Sequence, residues 1–380
     1  MDISNIAFVH DWLVDYGGAE RCLEAMRPSF PDAPVHTLFH DPRQFEGTGI
    51  AGADIRTTFL DRPFFRKRYR NFLPLFPFAV EQLDVGDAEI VLSFSHSVGK
   101  GVLTRADTLH VCYCHTPVRY AWDLYHRYLK LSGLERGIRS WVARLILHYI
   151  RLWDAGTAHR VDAYIANSRY VAARIRKTYG REAAVIHPPV DVGRFAQADS
   201  KEDHYLMVGR MVPYKRMDLA VRACTTLKLP LRIVGGGPQF EELRALAGPT
   251  VTFAGRLSDA EVAREMAGAK AFLFPGEEDF GITPVEAQAA GTPVVAFGKG
   301  GSLETVVPPE GEDYSRATGL FFAEPSEESL VECLRRFETE GHRFEPAAVV
   351  SHARGFATER YVKEMNAFLK REWEAFREAP

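Results

Sequence analysis

The chain has 380 residues, with 47 Lys and Arg against 50 Asp and Glu, and its formal net charge is −3. The length predicts two domains, because a single hydrophobic core usually stops growing near ~250–300 residues. The composition, 46% hydrophobic and 26% charged, is typical of a globular protein and excludes a mainly disordered, collagen-like or coiled-coil chain, while the near-neutral charge argues against nucleic acid as a partner.

The first half of the chain alternates short apolar runs with helical patterns, which is typical of a parallel α/β sheet. Residues 6–10 predict a strand, and Gly17-Gly18 followed by residues 19–26 predicts a glycine-containing loop and a helix. The runs at residues 89–94, 109–114 and 163–167 predict further strands that are buried on both faces.

A long amphipathic helix is predicted around residues 134–153. One face is apolar at spacings of three and four residues, and consists of Leu134, Ile138, Trp141, Leu145, Tyr149 and Leu152. The opposite face is cationic and carries Arg136, Arg139, Arg144 and Arg151.

The pattern changes at residues 188–204, where two prolines and a polar stretch without periodicity predict a linker. A second strand–loop–helix series follows, with strands predicted at 205–208, 231–234, 251–253, 271–274 and 294–297, and helices at 217–226, 326–341 and 357–378. Because ligands of parallel sheets bind outside the carboxyl ends of the strands, we expect loops of both domains to contribute to one cleft.

Neither disulfides nor a membrane-spanning helix is expected. The five cysteines are few and scattered, which favours reduced, buried thiols and provides no zinc site. No apolar run approaches the ~20 residues of a membrane span, and residues 1–5 lack the basic start of a signal peptide. A cytoplasmic protein is therefore expected.

The most informative segment is residues 274–287, FPGEEDFGITPVEA. A strand ends at Phe274, an acidic loop follows, and a helix is predicted to begin with Thr283 as its N-cap, a proline after it and Glu286 completing a capping box. Such a helix N-terminus offers backbone N–H groups to an anion. Glu278 and Glu286 can face the same ligand, and carboxylates suit the hydroxyl groups of a ribose or a hexose.

The spacing of Glu278 and Glu286 resembles the paired-glutamate motif of family-4 retaining glycosyltransferases. The resemblance extends over nearly the whole chain, through Gly17-Gly18-Ala19-Glu20, Val208-Gly209-Arg210 with Lys215, AGTPVVA at 290–296 and GGSLE at 300–304. His115-Thr116-Pro117 and RYAWD at 119–123 resemble a branch that contains mannosyltransferases of bacterial O-antigen and exopolysaccharide assembly.

The resemblance implies the GT-B fold, in which two Rossmann-like α/β domains face a central cleft and a C-terminal helix crosses back to the N-terminal domain. We place an acceptor-binding domain at residues 1–195, a nucleotide-sugar-binding domain at residues 196–357 and the crossover helix at residues 358–380.

The resemblance also implies a retaining transfer without a metal or other cofactor, in which the donor is a nucleotide-diphosphate sugar. The predicted donor is GDP-mannose and the predicted acceptor is a lipid-linked glycan of bacterial surface polysaccharide, such as lipopolysaccharide. Transfer from a UDP- or dTDP-sugar, a GT-B epimerase or hydrolase acting on the sugar nucleotide, and a binding protein without turnover are the alternatives.

The roles implied for the nucleotide side follow the family motifs. Arg210 and Lys215 would neutralise the donor diphosphate, since a bidentate arginine and a point-charge lysine suit two phosphates. Glu286 would bind the ribose hydroxyls. The donor sugar would be held by Glu278 and the backbone around Phe280, Gly281, Ile282 and Thr283. Gly235 either contributes to the nucleotide site or forms only a tight turn.

Three further groups complete the predicted site. Gly17 and Gly18 would let the backbone approach the diphosphate, and His115 would lie near the reacting carbon; with Arg210, Lys215 and Glu278 it is a predicted catalytic residue. Arg119 and Asp123 are predicted to contact the acceptor.

Residues 62–78 predict peripheral contact with the inner face of the cell membrane. The segment has no acid, and its aromatic side chains are interleaved with Arg62, Arg66, Lys67, Arg68 and Arg70. Each cation near anionic headgroups contributes about 1 kcal/mol, while aromatic rings favour the interface. The cationic face of helix 134–153 would add to this surface. An ordinary amphipathic segment with one core face is the alternative.

Overall fold

The computed structural model describes residues 5–378. Residues 1–4, on which the expectation of no signal peptide depends, and residues 379–380 lie outside the described part. The chain divides into two compact units, the first formed by Met1–Pro188 with Tyr361–Pro380 and the second by Pro189–Arg360. The domain boundaries suggested by the sequence, after residues 195 and 357, differ from these divisions by a few residues.

The first unit contains a seven-stranded parallel sheet in the order β3-β2-β1-β4-β5-β6-β7. Its strands are β1 Ile6–His10, β2 Val35–Thr37, β3 Ile55–Thr57, β4 Ile90–Ser95, β5 Leu109–Cys114, β6 Ala163–Ala166 and β7 Ala183–Val185. The sequence predicted the four longer strands. It missed β2, β3 and β7, because three residues are too few for a recognisable pattern.

The helices of the first unit flank this sheet. They are Gly18–Met26, Pro63–Arg66, Phe76–Val80, Tyr125–Leu131, Ile138–Thr157 and Arg169–Tyr179, together with the short 3-10 turns between them. The last helix of the chain, Thr358–Glu378, also packs here. Its buried residues recur at helical spacing and join the core of β1, β4 and β5, and they are Tyr361, Met365, Phe368, Leu369 and Trp373. The predicted crossing of the C-terminal helix to the first unit is confirmed.

The second unit contains a six-stranded parallel sheet in the order β10-β9-β8-β11-β12-β13. Its strands are β8 Tyr205–Val208, β9 Leu231–Val234, β10 Val251–Gly255, β11 Ala271–Phe274, β12 Val294–Phe297 and β13 Gly319–Phe322. Its helices are Met217–Leu227, Phe240–Leu246, Asp259–Gly268, Ile282–Ala289, Ser302–Thr305, Glu327–Glu340 and Pro346–Arg354. The strand order reverses between β8 and β11, so the adjacent loops at the carboxyl ends can separate and admit a ligand.

The long helix Ile138–Thr157 is oriented opposite to an ordinary amphipathic helix. Its apolar stripe is exposed, with Ile138 at 84% and Trp141 at 71% of full accessibility. Arg144 and Arg151 of the predicted cationic face instead turn inward, where both lie over the ring of Tyr125. The prediction that the whole cationic face meets solvent or membrane is therefore wrong for these two arginines.

All five cysteines are buried and none forms a disulfide. No helix within residues 5–378 combines the length and the hydropathy that are needed to cross a bilayer.

Candidate functional site

Glycines bring the loops at the carboxyl ends of β8 and β9 into direct backbone contact. Gly235 has a φ of 127°, and a Cβ added to it would lie 2.1 Å from the carbonyl oxygen of Gly209. The N–H of Gly209 donates to the carbonyl of Val234 at 2.9 Å. Any side chain at Gly235 would push these loops apart, so this glycine does more than complete a turn.

The loops after β11 and β12 are packed in the same way. A Cβ on Gly276 would lie 2.9 Å from the Cα of Lys215, and a Cβ on Gly301 would lie 2.3 Å from the Cα of Phe280. The N–H of Gly301 donates to the carbonyl of Glu278 at 2.9 Å. Four loops of the second unit therefore form one closely packed cradle that carries the predicted charged side chains.

Lys215 and Glu278 meet within this cradle. The Lys215 Nζ donates to Glu278 Oε1 at 2.7 Å, and both side chains are largely buried. Burial alone would lower the pKa of Lys215, but the neighbouring Glu278 carboxylate raises the pKa above its usual value. The site thus holds one fixed ammonium beside one carboxylate.

Glu286 is buried and paired with an arginine that the sequence did not single out. The Arg194 Nη2 donates to Glu286 Oε1 at 3.0 Å, while its Nη1 lies 2.7 Å from Asp259 Oδ2. Arg194 lies in the segment assigned as a linker, where no periodicity or motif marks it. Its two carboxylate partners fix the guanidinium, which in turn orients Glu286.

The helix that carries Glu286 begins earlier than the sequence suggested. It spans Ile282–Ala289, and its N-cap is Gly281, with a φ of 88° and no side-chain capping bond. The predicted capping box at Thr283 is therefore wrong. The left-handed backbone of Gly281 turns the chain into the helix before Thr283, whose hydroxyl is then past the cap. The first-turn N–H groups consequently have no side-chain acceptor from the N-cap.

Arg210 follows β8 and is exposed. It takes part in none of the ion pairs found within residues 5–378, so its guanidinium is open to an anionic ligand. Of the predicted nucleotide-side residues, the second unit joins Lys215 to Glu278 and packs Gly235 against Gly209, the residue before Arg210. Glu286 lies on the helix that begins within the segment 280–283.

The first unit has a separate polar cluster at the carboxyl end of β1, centred on Asp11. Its fully buried carboxylate accepts from the backbone N–H groups of His96, Ser97, Val98 and Gly99 at 2.6–2.9 Å. Burial would raise the pKa of Asp11, but the ring of His96, 3.0 Å away, lowers it well below the usual range. Asp11 thus remains ionised and holds the loop after β4.

Three imidazole rings surround this carboxylate. The ring centroid of His96 lies 6.3 Å from that of His10 and 6.4 Å from that of His115. Burial lowers the pKa of His10 and of His115, whereas Asp11 raises the pKa of His96 against the effect of burial. His115 is thus uncharged at neutral pH, and its Nε2 has no hydrogen-bond partner among the described residues.

The predicted glycine loop joins this cluster through Glu20. The N–H of Gly17 donates to Glu20 Oε2 at 2.9 Å, and Glu20 Oε1 lies 3.8 Å from Nε2 of His10. Gly18 is the first residue of the helix Gly18–Met26, with Gly17 as its N-cap. The structure therefore brings Gly17, Gly18 and His115 into the same region of the first unit.

The predicted acceptor residues lie on the segment after β5. Asp123 is ion-paired with Arg174 at 2.5 Å, which gives this carboxylate a structural partner in addition to any ligand. Arg119 is half-buried on the same segment.

The basic segment at residues 62–78 is only partly surface. Arg66 is ion-paired with Asp61 at 2.7 Å, whereas Lys67, Arg68 and Arg70 are exposed. Of its aromatic residues, Phe76 is buried in the core, while Phe64 and Phe78 are exposed at 65% and 56%. One side of this segment therefore belongs to the core and the other is accessible, and its contact with a membrane stays a prediction.

No motif in the sequence singles out His10, Asp11, His96 or Arg194. Asp11 could have been predicted, because a carboxylate directly after a predicted parallel strand lies at the edge of the sheet where ligands bind. His96 follows β4 in the same way, but a lone histidine gives no comparable signal.

Two family models match this chain. The model described as Glycosyltransferase Family 4 matches residues 16–194, and the model described as Glycosyl transferases group 1 matches residues 194–351. Together the two models cover residues 16–351.

Curated relatives match part of the chain. A GDP-mannose-dependent alpha-(1-6)-phosphatidylinositol monomannoside mannosyltransferase of Mycolicibacterium smegmatis is 34% identical over 172 residues, which is 37% of this chain and 45% of that protein. A D-inositol 3-phosphate glycosyltransferase of Nocardioides sp. is 34% identical over 186 residues, 38% of this chain and 40% of that protein. The chain thus spans less than half of these relatives.

Solved structures resemble the whole chain. Anabaena HepE, crystallised with UDP, superposes with a TM-score of 0.69 at 16% identity, covering 97% of this chain and 100% of HepE. Sucrose-phosphate synthase from Thermosynechococcus elongatus superposes with a TM-score of 0.70 at 16% identity, covering 98% and 100%. This likeness and the two parallel sheets define a protein of the GT-B fold. The chain belongs to the family-4 type of GT-B glycosyltransferases.

Proposed function

We propose that this protein is a retaining glycosyltransferase that moves mannose from GDP-mannose onto a lipid-linked glycan, without a metal ion, in the assembly of a bacterial surface polysaccharide. The observation that carries the proposal is the pair of Lys215 and Glu278, 2.7 Å apart in the loops after two parallel strands. A nucleotide sugar has a diphosphate next to a hydroxylated sugar ring. Lys215 offers a cation to the diphosphate, and Glu278 offers a hydrogen-bond acceptor to the hydroxyl groups of the ring.

The chemistry depends on stabilising the leaving group. As the bond between the sugar carbon and the phosphate oxygen breaks, negative charge grows on the diphosphate. The ammonium of Lys215, the guanidinium of Arg210 and the N–H groups at the start of helix Ile282–Ala289 are the donors available in the second unit. Each preorganised donor of this kind is worth roughly 3–4 kcal/mol, so the proposal needs no metal.

Glu286 is assigned to the ribose of the nucleotide. Its carboxylate is 5% exposed and is oriented by Arg194 at 3.0 Å. A carboxylate held in this way can accept hydrogen bonds from two neighbouring hydroxyl groups with a smaller loss of side-chain entropy on binding.

In the first unit, His115 keeps the role of a residue next to the transferred sugar. That role favours an uncharged ring with a polar atom that is available for a hydrogen bond. Burial keeps the ring of His115 uncharged, and its Nε2 has no partner among the described residues. Gly17 and Gly18, tied to the same cluster through Glu20, keep the predicted role towards the diphosphate. Arg119 and Asp123 keep the predicted acceptor role.

The donor assignment is supported by the mycobacterial relatives, whose names specify GDP-mannose at 34% identity. UDP-sugar transfer is the second candidate, because HepE was crystallised with UDP and with UDP-glucose, although at 16–17% identity. The higher identity favours GDP-mannose.

The test is an assay with radiolabelled GDP-mannose in the presence and absence of a polyprenyl-diphosphate-linked glycan. We expect label in the lipid phase only when acceptor is present, and an α-linkage that retains the donor configuration. Release of free mannose without acceptor would identify a hydrolase, and an isomerised donor would identify an epimerase. Turnover of UDP- or dTDP-sugars alone would keep the class and change the donor.

A further inference from the structure

The helix Ile138–Thr157 presents an unusual outer face to solvent. Six apolar side chains of this face are at least 44% exposed, and they are Ile138, Trp141, Val142, Leu145, Tyr149 and Leu152. Below, this set is called the outer face. Over the 15 residues from 138 to 152 it is about 21 Å long, at 1.5 Å per residue. Leu131, on the preceding helix Tyr125–Leu131, is also 58% exposed.

The exposure is not the result of a loosely attached helix. The inner face of the helix is held by Asp154, which is fully buried and ion-paired with Lys100 at 2.7 Å. The indole Nε1 of Trp122 donates to the same carboxylate at 2.7 Å. Leu147 and Ile150, also on the inner face, pack into a buried cluster of the first unit. The helix is therefore fixed with its apolar stripe outward.

Two arginines of this helix, Arg144 and Arg151, form hydrogen bonds within the protein and do not point into the solvent. Arg151 donates to the carbonyl of Ala121 at 3.0 Å, and Arg144 donates to Ser140 at 3.1 Å. This helix turns two arginines inward, and it turns a tryptophan, a tyrosine and four aliphatic side chains outward. It is therefore arranged for an apolar environment on its outer side.

The charge around the outer face indicates which apolar environment this is. Residues 124–153 contain six basic residues and one acid, Glu135. Four of the basic residues are exposed, and they are Arg127, Lys130, Arg136 and Arg139. Apolar and aromatic side chains bordered by cations suit a bilayer with anionic headgroups, because the rings enter the interface while the cations remain among the phosphates.

The same charges argue against a second copy as the occupant. In a twofold symmetric dimer the same patch meets itself, so the cations of one copy would face the cations of the other. The neighbouring segment Tyr69–Leu75 also contacts helix Ile138–Thr157, and the exposed Lys67, Arg68 and Arg70 lie in or next to that segment. The cationic surroundings of the outer face thus extend to a second segment of the first unit.

We infer that the outer face of helix Ile138–Thr157 is the surface by which the protein inserts into an anionic bilayer. The inference deepens the proposed function, on which it rests for the lipid-linked nature of the acceptor. The basic segment at residues 62–78 then attracts the protein to the anionic headgroups, whereas the outer face buries apolar area in the bilayer.

The test compares the full-length wild type with the double variant Trp141→Ser/Leu145→Ser in co-sedimentation with vesicles of phosphatidylcholine and phosphatidylglycerol. We expect the double variant to partition at least about tenfold more weakly, because two large side chains no longer leave water. Leu303→Ser is the matched control, because Leu303 is also an exposed apolar residue, at 57%, but lies in the second unit. This control should bind vesicles like the wild type.

The depth to which the outer face enters the bilayer is measured by the quenching of tryptophan fluorescence with brominated lipids. We expect quenching in the wild type that is lost in Trp141→Ser. Equal vesicle binding by wild type and double variant, or a wild type that stays in the supernatant, would overturn the inference. So would sedimentation equilibrium showing a wild-type dimer that the double variant abolishes, because the occupant would then be a second copy.

The outcome is separable from that of the proposed function. Stabilisation by GDP should be the same in the wild type and the double variant, since the outer face belongs to the first unit and the nucleotide cradle to the second. Loss of vesicle binding with GDP stabilisation intact supports the insertion surface. Absence of GDP stabilisation in the wild type would refute the donor assignment and leave the vesicle result standing.

Discussion

The ammonium of Lys215 lies 2.7 Å from the carboxylate of Glu278, although the two residues are 63 positions apart in the sequence. Each comes from a loop that follows a different parallel strand, and glycines at positions 209 and 276 leave room for the Lys215 side chain and backbone. The pair is the point of the second unit at which the charges needed for sugar diphosphate chemistry meet.

Replacing Lys215 by Ala should reduce turnover far more than stability. The loss of one donor to the leaving diphosphate is expected to lower kcat by about 10²–10³-fold, while the melting temperature should fall by only a few degrees, because Glu278 keeps some contact with water. Steady-state kinetics and thermal unfolding measure the two effects. Lys363→Ala, at an exposed lysine of the C-terminal helix, is the control, and wild-type turnover in Lys215→Ala would remove this residue from the site.

Replacing Glu286 by Ala should weaken binding of GDP. Hydrogen bonds to a charged group are worth about 1.5–3 kcal/mol, so the dissociation constant should rise by about 10–100-fold in titration calorimetry. Arg194 stays paired with Asp259 at 2.7 Å, which limits damage to the fold. The exposed Glu310→Ala should bind GDP normally, and equal affinity in Glu286→Ala would contradict the ribose assignment.

The fold was largely predictable because both sheets are made of short, continuously apolar strands. β5, β8, β9, β11 and β12 begin and end where the sequence pattern placed them. The three-residue strands were not predictable, because a strand this short is defined by its pairing with longer neighbouring strands and not by its own residues.

The site was predictable where a motif carries it and unpredictable where tertiary contacts do. Glu278 and Lys215 were identified from their resemblance to the family motifs, and the structure joins them. Arg194 and His96 act through partners far along the chain, so no local pattern points to them. The helix around residues 138–157 shows a different limit, because periodicity reveals that a helix is amphipathic but not which face is turned outward.

Transfer should persist after removal of divalent metal ions. The cations available to the diphosphate in the second unit are side chains, with Lys215 fixed by Glu278, so the proposed chemistry has no step that a metal must supply. The expected result is an unchanged rate after dialysis against EDTA. A rate that falls with EDTA and returns with Mg²⁺ or Mn²⁺ would show that the metal-independent proposal is wrong.

Stability should fall as the pH drops from 6.5 to 4, in part because of His110. This ring is buried between the hydroxyl of Ser93, at 2.8 Å from Nε2, and the carbonyl of Arg160, at 3.3 Å from Nδ1. Burial lowers the pKa of His110 from 6.5 to about 4. Between these values the unfolded chain binds a proton that the folded chain does not, so the free energy of unfolding decreases as the pH decreases.

The contribution of His110 has an upper limit of about 3 kcal/mol across that interval. His110→Gln keeps hydrogen-bonding atoms but cannot titrate, and its unfolding free energy in urea should depend less steeply on pH between 6.5 and 4. His342→Gln, at an exposed histidine of the second unit, is the control. An unchanged slope in His110→Gln would show that this ring does not remain neutral in the folded state.

The basic segment should separate into a structural residue and a membrane-binding group. Arg66→Ser should lower stability by about 1 kcal/mol, because it breaks the partly buried pair with Asp61 at 2.7 Å. The triple variant Lys67→Ser/Arg68→Ser/Arg70→Ser should unfold like the wild type and bind anionic vesicles more weakly, with an effect that shrinks in high salt. Unchanged vesicle binding at low salt would show that these three cations do not contribute to membrane binding.

The central claim is tested most directly by thermal unfolding in the presence of GDP, UDP, ADP and dTDP, with Glu286→Ala measured in parallel. A nucleotide at ~100 times its dissociation constant adds roughly 2.7 kcal/mol to the free energy of unfolding, which is easily seen as a shift. The account predicts a shift with GDP that is lost in Glu286→Ala. A shift with UDP or dTDP in place of GDP would contradict the mannose donor, and no shift with any nucleotide would contradict the transferase itself.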